Sequence, residues 1–577
     1  MSCLARLEYR GYDSSGIAVA GDRIKVFKDS IRVNELAKVL PEIEATAGIG
    51  HTRWATHGEP SRINAHPHCD CTGDIAVVHN GVINNFQQLR EQLIAEGHQL
   101  VSETDTEVLP HLIEKHYQGN LETAVEAALL EVKGSYAIVV LKKDEGKLVV
   151  ARKDSPLIIG VGDRENFVAS DVPAILDYTN RVIYLDDGDT AVITEDAIKV
   201  RHGGAEVTKQ EQQVSWSVED AQKGGYEHFM IKEIHEQPKV IRDTLGEYIA
   251  LAEPIVDFKA LSGEPLEDIL FIACGTSYHA ALVGKYLIEE LVSIPARVEL
   301  ASEFNSYHLP LRGTGIVAIT QSGETADTLN AMKRLKGAGK KVIVINNVVS
   351  SSASRLADQT INTMAGPEIS VAATKSFTAQ LMALYWLALS YSKVDISQLD
   401  NLVTALRQLP RKVQEILDNE AVIVECAKYL SKYENVFFIG RGLNFPVALE
   451  GALKLKEVAY IHAEGYSAGE LKHGSFALLS ADTPVIAIAT PDRTYEAMLT
   501  SIKEVKARKS PVIALVEEDD VNIGELADVV ITVPRIDAIF SPVVNSVALQ
   551  LLAYYTAKHR GCPIDTPRNL AKSVTVE

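Results

Sequence analysis

The sequence predicts an α+β domain with antiparallel sheets, followed by two copies of a parallel α/β domain. Short β-rich runs joined by Gly, Asp and Asn turns occupy roughly the first 215 residues, which is typical of antiparallel sheets. Strand–loop–helix units begin near residue 268 and recur about 170 residues later. With 577 residues, 46% of them hydrophobic, the chain is long enough for several buried cores.

The first domain, 1–215, combines short strands with two amphipathic helices. The helices are predicted at Asn85–Glu96 and Thr106–Tyr117, where apolar residues recur every three or four positions. The strands are predicted at Gly16–Val19, Ile75–His79, Ser135–Leu141, Lys147–Ala151, Val182–Leu185 and Thr190–Thr194. Residues 205–240 are polar and indicate a linker leading into a helix. We place this linker at 216–250.

The second half contains a duplicated, doubly wound unit. Strands are predicted at Ile269–Cys274, Gly315–Thr320 and Lys341–Asn346, with helices from about Tyr278 and Ala326. Each strand has a counterpart 166 or 170 positions later, beginning at 436, 485 and 511. These offsets predict α/β domains at 251–395 and 396–560, followed by a tail at 561–577.

Charge and cysteine usage exclude several classes of protein. The formal charge is −20, which argues against non-specific binding to nucleic acid or to an anionic membrane. Six scattered cysteines do not make a disulfide framework, so we expect a reducing, cytoplasmic compartment. The apolar run Leu381–Leu389 is too short to span a bilayer, and the first residues lack the apolar core of a signal peptide.

Two loops of the first α/β copy have the composition of a phosphate site. Cys274–Ser277 (CGTS) and Thr320–Thr325 (TQSGET) each follow a buried strand and open a helix. The N-terminus of a helix offers free amides to an anion, and Ser and Thr add hydroxyl donors. The alternative is that these hydroxyls only cap helices. No GxxxxGK[ST] motif is present, so a nucleotide P-loop is not expected.

The second copy carries ionisable residues instead. Glu450, Lys454 and Glu457 are spaced four and three apart, which places them on one helical face. His473 follows in a GELKHG segment. These groups are able to transfer protons on a sugar. The alternative is a solvated, salt-bridged helix with a loop histidine.

The second half resembles the isomerase half of the glucosamine-6-phosphate synthase family, a pair of sugar-isomerase (SIS) domains with Rossmann-like parallel sheets. The resemblance covers about 225–577 and rests on CGTS, TQSGET, LEGALKLKE, GELKHG and LAKSVTVE. It implies a catalytic set of a proton-transfer base, a ring-opening histidine, a Schiff-base lysine and an assisting lysine, in that order: Glu457, His473, Lys572 and Lys454. It implies sugar-phosphate contacts at Thr276, Ser277, Thr320, Gln321, Ser322, Thr325, Ala372, Ala373 and Ala571. Two positions depart from the family: Thr320 replaces a usual Ser, and Ala373 stands where many members have Ser.

The first half resembles the glutaminase domain of the same family, which has an N-terminal-nucleophile hydrolase fold. The matching segments are RLEYRGYDSSGIAV, GHTRWATHGEP, NAHPH, HNGVINN and SETDTE. The resemblance implies that Arg53 and Asp105 clamp glutamine, that Asn80 and Gly81 form an oxyanion hole, and that Trp54 gates an ammonia channel. Thr56 and His57 would lie in the glutamine loop.

A nearby group of metal-ligand residue types is interpreted differently. His66, His68, Cys69 and Cys71 are too crowded for a structural zinc site, which usually has two separated ligand pairs. We therefore expect neither a metal nor any other cofactor.

The start of the chain departs from the family pattern. The family nucleophile is the thiol of an N-terminal cysteine, on a strand that precedes RLEYRGYDS by well over ten residues. Here five residues precede that motif, and Cys3 falls where the family has the end of its first helix. We do not assign the nucleophile to Cys3, and we expect the first strand and the thiol to be missing. The explanations are a start site further upstream, use of free ammonia, or a vestigial glutaminase half.

Four functions are compared. The leading interpretation is synthesis of glucosamine 6-phosphate from fructose 6-phosphate and glutamine, by a homodimer formed through the SIS domains. The others are an ammonia-dependent form of the same synthase, a non-catalytic sugar-phosphate sensor, and a related SIS enzyme such as a deglycase. Glu457, His473 and Lys572 together argue against a sensor, and the glutaminase-like first half argues against a deglycase.

Overall fold

The computed structural model describes residues 1–214, 222–250, 256, 258, 266–307 and 310–575. The chain divides into two compact units. The first contains Met1–Ala221 with the short stretches Glu324–Ala326 and Ser573–Glu577, and the second contains Gln222–Gly323 and Asp327–Lys572. Residues 216–221 of the expected linker, and 251–255, 257 and 259–265 of the first expected α/β domain, lie outside the described residues.

The first unit is built on antiparallel sheets, as predicted. Its sheets have the strand orders β2-β1-β3, β14-β10-β8-β9 and β13-β12-β11-β7-β6-β5-β4. The strands are β1 Ser14–Val19, β2 Lys25–Asp29, β3 Gly48–Arg53, β4 His68–Cys69, β5 Ile75–Ile83, β6 Gly134–Lys142, β7 Leu148–Lys153, β8 Ile158–Val161, β9 Asn166–Ala169, β10 Arg181–Tyr184, β11 Asp189–Ile193, β12 Ile198–His202, β13 Ala205–Val207 and β14 Gln212–Gln213.

Helices of the first unit cover one face of its largest sheet. Leu93 and Leu109, on two of these helices, pack with Val77 and Ile138 of the sheet in one fully buried core. The helices are α1 Ser2–Ala5, α2 Val33–Val39, α3 Phe86–Ala95, α4 Val108–His116 and α5 Leu121–Glu131, with 3-10 turns at Glu8–Arg10 and Val172–Ala174.

Strands continue further along the chain than the polar composition suggests. Residues 205–213, interpreted as the start of a polar stretch, contain two strands: 205–207 form β13 and 212–213 form β14. Gly203 and Gly204, with φ of +56° and +82°, form the two-residue turn between β12 and β13. Such a glycine pair is a hairpin signal that overrides the polarity of the flanking residues.

The second unit contains two five-stranded parallel sheets with the same topology, β16-β15-β17-β18-β19 and β21-β20-β22-β23-β24. The matching strand orders confirm the predicted duplication. The strands are β15 Asp268–Ala273, β16 Ala296–Leu300, β17 Thr314–Ile319, β18 Ile343–Asn346, β19 Gln359–Asn362, β20 Asn435–Gly440, β21 His462–Ser467, β22 Val485–Ala489, β23 Val512–Glu517 and β24 Val529–Val533. The central strands read as continuous apolar runs because helices cover both faces.

The helices of the second unit begin with two that fall in the segment 216–250. Met230, Ile234, Ile241 and Leu245 on these helices join the main core of the unit. The helices are α6 Phe229–His235, α7 Gln237–Ala250, α8 Gly275–Leu287, α9 Ala301–Phe304, α10 Ala326–Gly337, α11 Ser352–Leu356, α12 Lys375–Ser390, α13 Ile396–Leu417, α14 Ala421–Leu430, α15 Asn444–Ala459, α16 Tyr495–Lys506 and α17 Ser541–Arg560, with a π turn at Ile288–Val292 and 3-10 turns at Glu470–His473, Ser475–Leu478 and Ala538–Phe540.

The helix near the C-terminus of the second unit belongs to the core. Residues 538–560 are long and apolar enough to cross a membrane by composition, yet 83% of their most apolar window is buried inside the fold. α17 packs against α14 and α15, and Val547, Leu551 and Tyr554 are almost inaccessible. This burial is the pattern of a core helix.

Candidate active sites

Two loops follow adjacent parallel strands of the first α/β sheet, where open α/β sheets bind ligands. β15 and β17 pair directly, and the loops after them start at Cys274 and Thr320. α8 starts at Gly275, three residues before the predicted start near Tyr278, so Thr276 and Ser277 lie in its first turn. Their hydroxyls and the first amides of α8 therefore share one helix N-terminus.

The second loop is held in a tight conformation. Gly323 has a φ of +70°, and a Cβ atom placed there would lie 2.0 Å from the Ser351 hydroxyl oxygen. The Gly323 amide donates a hydrogen bond to the buried Thr320 hydroxyl (3.2 Å), so Thr320 serves as the loop's internal acceptor. Gln321 and Ser322, between these two residues, are half-buried.

The predicted face of Glu450, Lys454 and Glu457 lies on α15, and it is not a solvated helix surface. Lys454 and Glu450 are 1% and 2% exposed, and Glu457 is 21% exposed. The Lys454 ammonium lies 2.6 Å from a Glu457 oxygen and 3.4 Å from a Glu450 oxygen. Burial opposes the charge on Lys454, but the two carboxylates together raise its pKa above the ordinary value.

This cluster reaches the first loop. Lys454 donates to the Thr276 hydroxyl at 3.1 Å, and that hydroxyl donates to Glu450 at 3.1 Å. Glu450 also contacts the Nδ1 atom of His279 at 2.7 Å. The structure thus brings the expected phosphate loop of the first α/β copy into one hydrogen-bonded network with the predicted proton-transfer face of the second. His279 is a member of this network that the sequence reasoning missed.

Lys572, in the C-terminal tail, is buried and forms an ion pair. Its ammonium lies 2.5 Å from Glu368, and the two side chains are 3% and 0% exposed. Burial alone would raise the pKa of Glu368, but Lys572 and hydrogen bonds from Ser376 and the Thr374 amide lower it to about 2. The sequence reasoning missed Glu368 because 204 positions separate it from Lys572.

The remaining residues expected at the sugar site differ in their burial. His473 is exposed on a 3-10 turn, and no hydrogen bond or ion pair joins it to Lys454 or Glu457 in the described part of the chain. Ala372 is buried, whereas Ala373 and Ala571 are half-buried. Thr325 belongs to the stretch Glu324–Ala326 that clusters with the first unit.

Two further polar groups occur in the loop that contains Ala372 and Ala373. The hydroxyls of Ser370 and Thr374 are buried and have no hydrogen-bond partner among the described residues. Gln380, on α12, is also buried, and its amide nitrogen donates to Ser277 at 2.9 Å. Buried groups without partners are costly, which makes Ser370 and Thr374 additional candidates for polar contacts with a ligand.

The first unit contains a cavity of about 430 Å³ around the expected glutamine residues. Its wall includes Arg53, Trp54, Thr56, Asn80, Gly81 and Asp105. Thr56 is exposed and is 3.3 Å from the His57 ring, which in turn lies 4.0 Å from Asp105. Ser573 and Thr575 of the C-terminal stretch also line this cavity, which the sequence reasoning missed.

The charged pair in this cavity is preorganised. One guanidinium nitrogen of Arg53 donates to the backbone oxygens of His57 and, at 3.0 Å, of Gly58. Its other terminal nitrogen, Nη1, is buried and has no partner among the described residues. Asp105 accepts a hydrogen bond from the Ile83 amide at 2.8 Å. A guanidinium nitrogen and a buried carboxylate that line one cavity suit an α-amino acid, which carries one charge of each sign.

Asn80 and Gly81 lie on β5 at the cavity wall. The Asn80 carbonyl oxygen is 3.0 Å from Nε2 of His51, so it accepts a hydrogen bond from that ring nitrogen and leaves the Asn80 amide nitrogen as donor. Burial lowers the pKa of His51 to about 4, which keeps the ring neutral. Gly81 has a φ of +136°, and an added Cβ atom would lie 2.2 Å from the Ser135 carbonyl oxygen, so only glycine fits.

Cys3 also lines the cavity, from α1. Burial raises the pKa of its thiol, so the nucleophilic thiolate is disfavoured. Two sheet edges form part of the same wall, since β3 and β9 are each the last strand of a sheet and consecutive residues of both contact the cavity.

The class of protein follows from these two sites together with family models. Residues 51–177 match the model described as a glutamine amidotransferase domain, and 266–390 and 429–560 both match the SIS domain. The chain is therefore a glutamine amidotransferase domain joined to two SIS domains.

Full-length relatives define the family more narrowly. The chain is 49% identical over 589 residues to glutamine–fructose-6-phosphate aminotransferase (isomerizing) of Caldanaerobacter subterraneus, with 100% of this chain and 97% of the relative covered. It is 48% identical to proteins of the same name from Methanosarcina mazei and Pyrococcus horikoshii, with the same coverage. The chain belongs to the glutamine–fructose-6-phosphate aminotransferase family.

Solved structures resemble the second half. The C-terminal domain of glucosamine-fructose-6-phosphate aminotransferase from Francisella tularensis is 38% identical, with a TM-score of 0.57, covering 60% of this chain and 100% of that one. Tagatose-6-phosphate ketose/aldose isomerase from Escherichia coli has a TM-score of 0.52 at 18% identity, covering 60% of this chain and 95% of that one, and shows the shared fold alone.

Proposed function

We propose that this chain makes D-glucosamine 6-phosphate from D-fructose 6-phosphate and L-glutamine. One observation carries the proposal beyond family membership: Lys454 contacts both the Thr276 hydroxyl and the Glu457 carboxylate. A sugar whose phosphate is bound at the first turn of α8 would then lie against a carboxylate able to move a proton between C1 and C2. Lys454 fixes the position of that carboxylate through the ion pair between them.

The remaining residues take the roles that the family resemblance implies. His473 would open the sugar ring. The Lys572 amine would add to the open-chain ketone and form an imine with loss of water. An amine attacks as the free base, so the Lys572–Glu368 pair has to separate and Lys572 has to release a proton first. In the first unit, Arg53 and Asp105 would hold glutamine, Asn80 and Gly81 would stabilise the oxyanion, and Trp54 would gate the passage of ammonia.

The first test uses the full chain in two reactions, each with fructose 6-phosphate. One receives glutamine freed of ammonia, the other receives ammonium, and both are assayed for glucosamine 6-phosphate. Product with glutamine supports the proposal in full. Product with ammonium alone would limit the chain to the ammonia-dependent reaction, and no product in either reaction would contradict the proposal and favour a sugar-phosphate sensor.

A second test isolates the proton-transfer role. We expect Glu457→Gln to abolish product in every reaction that the parent chain supports, while fructose 6-phosphate still binds in calorimetry, because the amide cannot accept the proton. Glu496→Gln is the matched control, since Glu496 is exposed on α16 and outside the network. Loss of sugar binding in Glu457→Gln would contradict the assigned role.

We also propose a cytoplasmic homodimer formed through the SIS domains, without nucleic acid or membrane as partner. The net charge of −20 supports the absence of an anionic polymer partner. Light scattering coupled to size-exclusion chromatography measures the oligomer directly, and a mass near 62.9 kDa, that of one chain, would contradict the dimer.

A further inference from the structure

Three elements of the first unit meet at a cluster of metal-ligand side chains away from the glutamine cavity. Cys71 lies in the turn between β4 and β5, and His98 follows the end of α3. His111 and Glu114 lie three residues apart on one face of α4. One ligand atom from each of the four residues lies within 4.8 Å of all the others.

The distances within the cluster resemble the edges of a metal tetrahedron. The Cys71 sulfur is 3.4 Å from Nδ1 of His111 and 3.6 Å from Nδ1 of His98. A Glu114 oxygen is 3.0 Å and 3.5 Å from Nδ1 of His98 and of His111. Tetrahedral zinc, with Zn–S of about 2.3 Å and Zn–N or Zn–O of about 2.0–2.1 Å, requires S···N of about 3.6 Å and N···O of about 3.3 Å.

We propose that Cys71, His98, His111 and Glu114 bind one structural zinc ion. A thiolate and a carboxylate would neutralise the two positive charges, and two neutral imidazoles would complete the site. Thiolate and imidazole ligands favour zinc over magnesium and calcium, which prefer oxygen. Four protein ligands leave no open position for substrate, which is the arrangement of a structural site.

Local contacts hold the ligands in place. Gly97, with a φ of +99°, ends α3, and the His98 amide donates to the Leu93 oxygen at 2.9 Å, which turns His98 back towards α4. The Cys71 amide donates to Glu114 at 3.2 Å. The carboxylate of Asp70 accepts the Ile75 amide at 2.9 Å and closes the turn that carries Cys71.

The cluster was not visible in the sequence because its members are far apart. Cys71 is separated from His98 by 27 positions and from His111 by 40. The crowded group His66, His68, Cys69 and Cys71 contributes only its last member. His66 instead stacks on His51 at 4.4 Å, and His68 hydrogen-bonds to Thr104.

A metal at this position would stiffen the glutamine site without touching it. The segment between His98 and His111 carries Asp105, and the turn that carries Cys71 leads into β5, which carries Asn80. One ion would therefore tie together the two chain segments that present the amino-acid clamp and the oxyanion donor. Folding free energy gained from metal binding would be added to this region.

The test is the metal content of the full chain. We expect protein purified from zinc-supplemented medium to retain about one zinc ion per chain after dialysis against a weak chelator. Cys71→Ser and His98→Asn should retain less than about a tenth of that zinc, because each removes a ligand. Cys69→Ser and His116→Asn are the matched controls and should retain it, since neither residue belongs to the cluster.

Cobalt provides a second measurement that does not depend on enzymatic activity. Co(II) bound at this site should show the visible absorption of a tetrahedral complex and a thiolate-to-cobalt charge-transfer band, and Cys71→Ser should remove that band. Cys71 is exposed, so its replacement by Ser should leave the fold intact. Zinc below about a tenth of an equivalent in the parent chain, with no cobalt band, would overturn the proposal, as would equal zinc in Cys71→Ser and Cys69→Ser.

Discussion

Glu233→Gln is expected to make the protein more stable at pH 8. Glu233 lies on α6, is 1% exposed, and accepts the amide of Ile369 at 2.5 Å and of Ser370 at 3.1 Å. Burial and the neighbouring Glu368 carboxylate raise its pKa to about 8, although Lys572 and Lys375 act in the opposite direction. Glu233 therefore keeps its proton in the native protein at neutral pH.

The sign and the size of the effect follow from proton linkage. Between pH 4.5, the ordinary value for Glu, and pH 8, the native state holds a proton that the unfolded chain has lost. The free energy of unfolding consequently falls as the pH rises, by up to about 1.4 kcal/mol per pH unit, or on the order of 5 kcal/mol across the window. Glu368, with a pKa of about 2, contributes stability that is constant above pH 4.5 and is lost only towards lower pH.

Urea unfolding of the full chain at pH 5, 6, 7 and 8 measures this dependence. Glutamine at position 233 keeps the carbonyl acceptor and has no proton to lose, so the variant should have a flatter profile than the parent and exceed its stability at pH 8. Glu247→Gln is the control, because Glu247 is exposed on α7 and should leave the profile unchanged. A parent and a Glu233→Gln profile with the same slope would refute the reasoning.

Two further predictions use matched changes. Lys454→Ala should lower the free energy of unfolding by about 3–5 kcal/mol, measured in urea, because it leaves Glu450 buried without its cation; a cost below about 1 kcal/mol would contradict it. Gly81→Ala should prevent glutamine-dependent turnover and lower the melting temperature, because its Cβ would meet the Ser135 oxygen. Gly73→Ala is the matched control: its φ is +74° with open space around it, so it should cost only about 1 kcal/mol of stability. An equal fall in melting temperature in both variants would show that backbone strain alone is responsible, and not the clash at Gly81.

Local pattern and repetition predicted the architecture well. Continuous apolar strands between helices predicted the parallel sheets, and nearly equal offsets predicted two copies, which the matching strand orders confirm. The errors were local. The β12–β13 turn, formed by two glycines, lies inside a predicted polar stretch, and α8 starts at Gly275, with only Cys274 between it and the preceding strand.

Contacts within the sites depend on residues distant in the chain, so composition could not predict them. Spacing correctly placed Lys454 on one helical face with two glutamates, but it left a solvated helix as an alternative. Only the fold shows that Thr276, 178 positions away, meets Lys454 in the core. The same limit applies to the Lys572–Glu368 pair and to the cluster of Cys71 with His98 and His111.

The two units differ in whether the charged side chains of their sites already have partners within the protein. This difference predicts that substrate binding proceeds differently in the two sites. In the second unit, Lys454 and Lys572 are each already paired with a buried carboxylate, so substrate has to exchange places with protein partners. In the first unit, Nη1 of Arg53 is buried without a partner among the described residues, and the Cys3 thiol is held neutral. Glutamine binding would satisfy Arg53 at once, whereas glutamine cleavage needs a thiolate nucleophile, which burial disfavours at Cys3. Binding of glutamine and its hydrolysis should therefore separate experimentally, and calorimetry with glutamine alone measures the first without the second.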